Sequence, residues 1–193
     1  VYMRTEEGYG LRPNISIRGT AIERSAKVAI MEDGVLVAPS PYTSSSAYYF
    51  PTTGRIHSVE VLKGPADVSQ GPQTNGGAIN LISTPIPNAP SGKFVQELGE
   101  NGMMRTHAYY GGTSGNFGGL VEVHEHESDG FDSIANVGGD TGFDKSDLMV
   151  KARYESGAHS LTLKMVDIDE NSNQSYVGLS QASFNANPRQ RYG

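Results

Sequence analysis

From Lys93 onward, apolar and polar residues alternate with a period of two. In FGGLVEVHEHE (117–127), Val121 and Val123 fall on one face, and Glu122, His124 and His126 on the other. In DLMVKARYE (147–155), Leu148, Val150, Ala152 and Tyr154 alternate with Asp147, Met149, Lys151, Arg153 and Glu155. HSLTLKMVD (159–167) sets Leu161, Leu163 and Met165 against Ser160, Thr162 and Lys164. Successive side chains of a strand point to opposite faces, so the pattern predicts β-strands with one apolar and one charged face. A soluble sandwich and a membrane barrel both produce it. The connections favour the barrel: ESGA (155–158) is tight, whereas 128–145 and the polar stretch after Met165 are long. Outer-membrane barrels have short turns on one side and long loops on the other. The Gly-rich GTSGNFGG (112–119) reads as a turn between two strands.

The first half is patterned differently. NISIRG (14–19) predicts a strand, and KVAIMEDGVLV (27–37) predicts a hairpin turning at Glu32-Asp33-Gly34. RIHSVEVLKG (55–64) and GAINLIS (77–83) predict further strands, and PADVSQG (65–71) one helical turn opened by Pro and closed by Gly. Residues 39–51 form a long Ser-, Tyr- and Pro-rich loop. The prolines at 85, 87 and 90 stop the strand and stiffen its exit. In NGGAIN (75–80), the glycines permit close backbone approach and unusual φ, and the run from Ile79 to Ile82 supplies a small core.

Composition narrows the classes. Of 193 residues, 36% are hydrophobic and 24 are glycine, which suits a β-rich chain. There is no cysteine, hence no disulfide framework or thiolate metal site, and the net charge of −6 argues against nucleic acid. No apolar run approaches the ~20 residues of a membrane helix, a test that barrel strands escape. The opening VYMRTEEGYG and the closing NPRQRYG read as internal sequence, so an excerpt of a longer chain is expected. His124 and His126 share a strand face, but no third ligand is spaced to complete a metal shell. Asp129, Asp132, Asp140, Asp144 and Asp147 do not match a calcium loop and read as a solvated outer loop. No catalytic constellation is present, and no enzyme is expected.

The order IRG, KVAIMEDGVLV and IHSVEVLKGPADVSQGPQTNGGAINLIST resembles the plug of TonB-dependent outer-membrane receptors over most of residues 11–84. GPQTNGGAIN resembles the ferric dicitrate branch, with Gln70 where a tyrosine is usual there. NFGGLVEVHEHESDGF, DTGFDKSDLMVKARY and SYVGLSQASFNANPRQRY resemble the first barrel strands and loops of that branch. The resemblance implies a mainly β fold in the bacterial outer membrane. An α+β plug with a small mixed sheet (1–89, its amino-terminal part missing) precedes the first antiparallel strands, about five, of a transmembrane β-barrel (90–193). The whole barrel has about 22 strands in this class.

The same resemblance implies an imported ferric siderophore, ferric citrate-like, as ligand. It implies outer-membrane lipid as surroundings, and TonB as a partner through a segment absent from this chain. No cofactor is implied. Ligand contacts are expected from Gln73 of the GPQ motif, with Tyr42, Thr43, Tyr48 and Tyr49. Arg18 and Glu60, within plug motifs, are expected to lock plug to barrel, with Glu122, Glu125 and Glu155 as candidate barrel partners. Two alternatives remain: a TonB-dependent receptor for cobalamin or an oligosaccharide, and a soluble β-rich binding module.

Overall fold

Residues 1–5, 9–37, 49–64, 74–173 and 178–192 are described by a computed structural model, and they fall into two units, Val1–Pro85 and Ile86–Gly193. The segment PADVSQG and most of the 39–51 loop lie outside the described residues.

In the first unit, β1 (Tyr2–Thr5) pairs antiparallel with β2 (Pro13–Ser16). A four-stranded mixed sheet follows, built from β3 (Val28–Glu32), β4 (Val35–Leu36), β5 (Ile56–Lys63) and β6 (Gly77–Ser83) in the order β4-β3-β6-β5. The two central strands, β3 and β6, run parallel, with Ile30 opposite Ile79. A central parallel strand is covered on both faces and therefore reads as a continuous apolar run rather than an alternating one. VAIME is buried at every position, and Ala78, Ile79 and Leu81 are buried beside it. One face packs Val28, Ile30, Ile79 and Leu81 with Ile15, Ile17 and Phe50; the other packs Ala29, Met31 and Ala78.

The β3–β4 hairpin turns on Asp33 and Gly34, whose φ values of 48° and 82° are both positive, as a type I′ turn requires. Gly77 has a different reason to be glycine. Its φ is 137°, and a Cβ there would stand 2.1 Å from the Leu62 carbonyl oxygen of β5. The close approach is thus between neighbouring strands of the first unit's own sheet.

The second unit is a five-stranded antiparallel sheet of β7 (Ser91–Leu98), β8 (Met104–Ser114), β9 (Phe117–Ser128), β11 (Phe143–Ser156) and β12 (His159–Ser172). Between β9 and β11 lies the short β10 (Ser133–Ala135); after β12 come α1 (Gln181–Ala186) and β13 (Gln190–Tyr192). Two differences from the sequence reading stand out. The Gly-rich stretch 112–119 is mostly strand: Ser114 pairs with Phe117, so only Gly115 and Asn116 turn. And β12 continues well past Met165, because β11 begins as early as Phe143 and offers Ser172 a partner. Both tight turns place a glycine of positive φ first, Gly115 (56°) and Gly157 (58°), the position where a type II′ turn needs one. The long links are not independent loops. β10 and β13 pair in parallel, and Arg191 bridges to Asp132 at 2.8 Å.

The faces of this sheet are inverted relative to a soluble protein. On β11, Lys145, Asp147, Met149 and Lys151 are buried while Ser146, Leu148, Val150 and Ala152 are exposed. The register carries the pattern across strands: Tyr110, Val121, Val150 and Met165 form one row, and Phe94, Ala108, Val123 and Leu148 the next, with Met165 and Phe94 75% and 69% exposed. On the opposite face Glu122 is 0% and Asp147 3% exposed. A water-soluble sandwich would bury Val121 and Val150 and solvate Glu122. At the tight-turn end the band closes on Phe117 and Tyr154, whose rings lie 4.9 Å apart. At the other end it gives way to Glu125, Ser146 and Asp169. From Tyr154 to Leu148 the band spans about 20 Å at the rise of an antiparallel strand, close to the ~25 Å apolar band of outer-membrane barrels.

Two outcomes follow from these features. Gly77→Ala is expected to destabilise the first unit by roughly 3–5 kcal/mol, through positive-φ strain and the overlap with Leu62. Gly34→Ala, at positive φ in open space, should cost about 1–2 kcal/mol; urea unfolding of the two variants compares them. Val150→Lys is expected to cost about 2–4 kcal/mol of folding into lipid vesicles, and Ser146→Lys, on the same face of the same strand, about 0–1 kcal/mol. Equal tolerance of both would mark the face as solvated.

Candidate functional site

The first unit builds its polar centre around Arg55, which ends the short 3-10 helix Thr53–Arg55 and is 1% exposed. Its guanidinium forms an ion pair with Glu32, the last residue of β3, which is itself buried. The Tyr49 hydroxyl donates to Glu32 Oε2 at 3.3 Å and accepts from Arg55 Nη2 at 3.2 Å. Breaking a buried pair by removing one partner leaves an uncompensated charge, so each of these groups depends on the others.

Of the candidate ligand residues, Tyr42, Thr43, Tyr48 and Gln73 lie outside the described residues. Tyr49 is described, half-buried, with its hydroxyl committed to Glu32 and Arg55. Arg18 is exposed at a positive φ of 59°, with Nη1 beside Gly64, where an added Cβ would come within 2.9 Å of it. Glu60 accepts from Asn80 Nδ2 at 2.9 Å, and the Asn80 Oδ1 accepts from the Gly34 amide at 2.9 Å, so Glu60 braces β5 to β6 and to the hairpin turn. Of the candidate partners on the five-stranded sheet, Glu122 and Glu155 share the face of Asp147 and Met149, whereas Glu125 shares the opposite face with Val123.

Arg55, Glu32 and Asp33 were not singled out in the sequence as functional. Arg55 sits in a 3-10 turn with no periodic signal, and Asp33 reads as a turn residue alone. In the structure Asp33 also accepts from the Ser83 amide at 2.9 Å and from the Ser83 hydroxyl.

The face of the sheet opposite the apolar band is lined by polar and charged pairs. His107 Nε2 meets Glu122 Oε1 at 2.6 Å, Lys145 bridges Glu170 at 2.9 Å and Arg105 bridges Glu97 at 2.9 Å. Arg153 donates to Thr113 Oγ1 at 3.2 Å, and Thr113 in turn to the Pro87 carbonyl at 2.9 Å, which ties the proline segment to β8. His107, His124 and His126 neighbour one another, with ring centroids 5.8 and 6.4 Å apart. No group of three acidic or imidazole ligands suited to a metal occurs among the described residues. Beyond the apolar band, Glu127, Asp129, Asp140 and Asp144 line an open cavity of about 310 Å³ with Asn171 and Asn173.

Residues 1–78 match the family model described as the TonB-dependent Receptor Plug Domain. A curated relative, the vitamin B12 transporter BtuB of Photobacterium profundum, is 24% identical over 155 residues, covering 79% of this chain and 25% of the relative. Among solved structures, the ferric yersiniabactin uptake receptor FyuA of Yersinia pestis aligns with a TM-score of 0.66 at 23% identity, covering 87% of this chain and 26% of that one. The ferripyoverdine receptor of the outer membrane of Pseudomonas aeruginosa aligns with a TM-score of 0.69 at 19% identity, covering 87% and 21%. The chain thus spans about a quarter of the length of the relatives it matches. The plug-domain match and the fold shared by the strands that follow support a TonB-dependent receptor of the outer membrane, of which this chain carries the plug domain and a few barrel strands.

Proposed function

We propose that the protein to which this chain belongs binds a ferric siderophore of ferric citrate type at its outer face and imports it with energy delivered through TonB. The observation that carries this reading is the GPQTNGGAIN motif at 71–80, which resembles the ferric dicitrate branch and straddles the end of the plug-domain match at residue 78. Two of the structurally similar proteins are, by their descriptions, receptors for ferric chelates. Gln73 is the principal ligand contact, with Tyr42, Thr43 and Tyr48. Tyr49, whose hydroxyl is held by Glu32 and Arg55, joins them through its ring. Arg18 and Glu60 lock the plug against the barrel. No bond of the substrate is made or broken: ligand contacts bias the plug between states, and TonB supplies the pull. The likeness to a vitamin B12 transporter favours cobalamin as the second reading.

Titration of the intact receptor with ferric citrate and with cyanocobalamin separates the two. Ferric citrate is expected to bind, and Gln73→Ala to weaken it about tenfold, the equivalent of one hydrogen bond to a charged partner. Unchanged affinity removes Gln73 from the site, and binding of cyanocobalamin alone overturns the iron reading. Iron-replete growth should lower the receptor's abundance.

A further inference from the structure

Three stretches of the plug that are distant in sequence meet in one closed ring of hydrogen bonds. Tyr49, directly after residues 38–48, bonds to both Glu32 and Arg55. Glu32 is followed by Asp33, whose carboxylate holds the Ser83 amide and hydroxyl. Ser83 is followed by Thr84, whose amide and hydroxyl donate to the Arg55 carbonyl oxygen at 3.1 and 3.2 Å. The Arg55 side chain then returns to Glu32 and Tyr49. Arg55 and Ser83 are 1% and 0% exposed.

An apolar filling of this space would be as stable as a buried ion pair, or more so, because two charges have been taken out of water. A buried polar ring of this kind instead fixes geometry, and its bonds strengthen one another and fail together. We propose that the ring is a two-state latch in which Arg55 couples Tyr49 to the last residues of β6 and the exit at Thr84. Its side chain is held at one end of the ring and its backbone carbonyl holds the other, so loosening either end loosens both. Coupling of this sort is reciprocal by thermodynamic necessity. The inference stands on the plug alone and holds whichever substrate the receptor takes.

The test is hydrogen–deuterium exchange on the intact receptor in detergent, with two mild variants. Tyr49→Phe removes one hydroxyl and keeps the ring; it is expected to speed exchange of the Ser83 and Thr84 amides about tenfold, the loss of one hydrogen bond to charged partners. Ser83→Ala removes a hydroxyl at the opposite end and is expected to speed exchange of the Arg55 amide, which donates to Thr52 at 3.2 Å, by a similar factor. Tyr154→Phe, in the other unit, should leave all of these amides unchanged. Faster exchange confined to the mutated segment in each variant, or no change in either, overturns the latch.

Discussion

A strand crossing hydrocarbon must pair every backbone N–H and C=O with a neighbouring strand and turn its apolar side chains outward, because no water is available to solvate what is left over. The organisation of residues 91–172 follows from that constraint. The five strands run antiparallel in long, continuous register, with β11 paired on both sides over nearly its whole length. Charge is driven to the inward face, where Glu122 and Lys145 are buried against His107 and Glu170 and Asp147 is buried on the same face, while Val121, Val150 and Leu163 stand exposed. The two-residue turns at Gly115 and Gly157 let successive strands reverse without a gap in the pairing.

The plug solves a different problem. It is a small domain that must bury both faces of its central strands, and it does so with a parallel β3–β6 pair in which Val28, Ile30, Ile79 and Leu81 pack one face and Ala29, Met31 and Ala78 the other. Close packing leaves no room for a side chain at Gly77. Some buried polar side chains are satisfied elsewhere, as Ser25 is by the Ile15 amide at 2.8 Å, while the buried ion pair of Arg55 with Glu32 collects Tyr49 around it. That concentration makes the region responsive: a change at Tyr49 or at Ser83 reaches the same guanidinium and carboxylate pair.

Much of this was legible in the sequence, for reasons that can be named. The hairpin at 27–37 announced itself through Asp33-Gly34, since few residues other than Asn, Asp and Gly accept two successive positive φ angles. The period-two alternation at 147–155 gave both the strand and its two faces; which face is buried needed the structure, because a sandwich has the same period. The far end of β12 was hidden because Asp167, Asp169 and Glu170 look like loop residues, and only pairing with residues 143–148 keeps them extended. The β10–β13 contact and α1 arise from long-range docking between two links that no local pattern encodes. Arg55 was missed because a lone charge before an apolar strand reads as exposed until its partner, Glu32, is found across 23 residues of chain.

The central claim is that the apolar face of the five-stranded sheet meets lipid. Single labels placed in turn along 146–154 of the intact receptor in bilayers, and challenged with a lipid-borne quencher, test it directly. The account predicts quenching with a period of two, high at Leu148, Val150, Ala152 and Tyr154 and low at Asp147, Met149, Lys151 and Arg153, fading at Ser146. Quenching that is uniform along the strand, or strongest at Lys151 and Asp147, would contradict it.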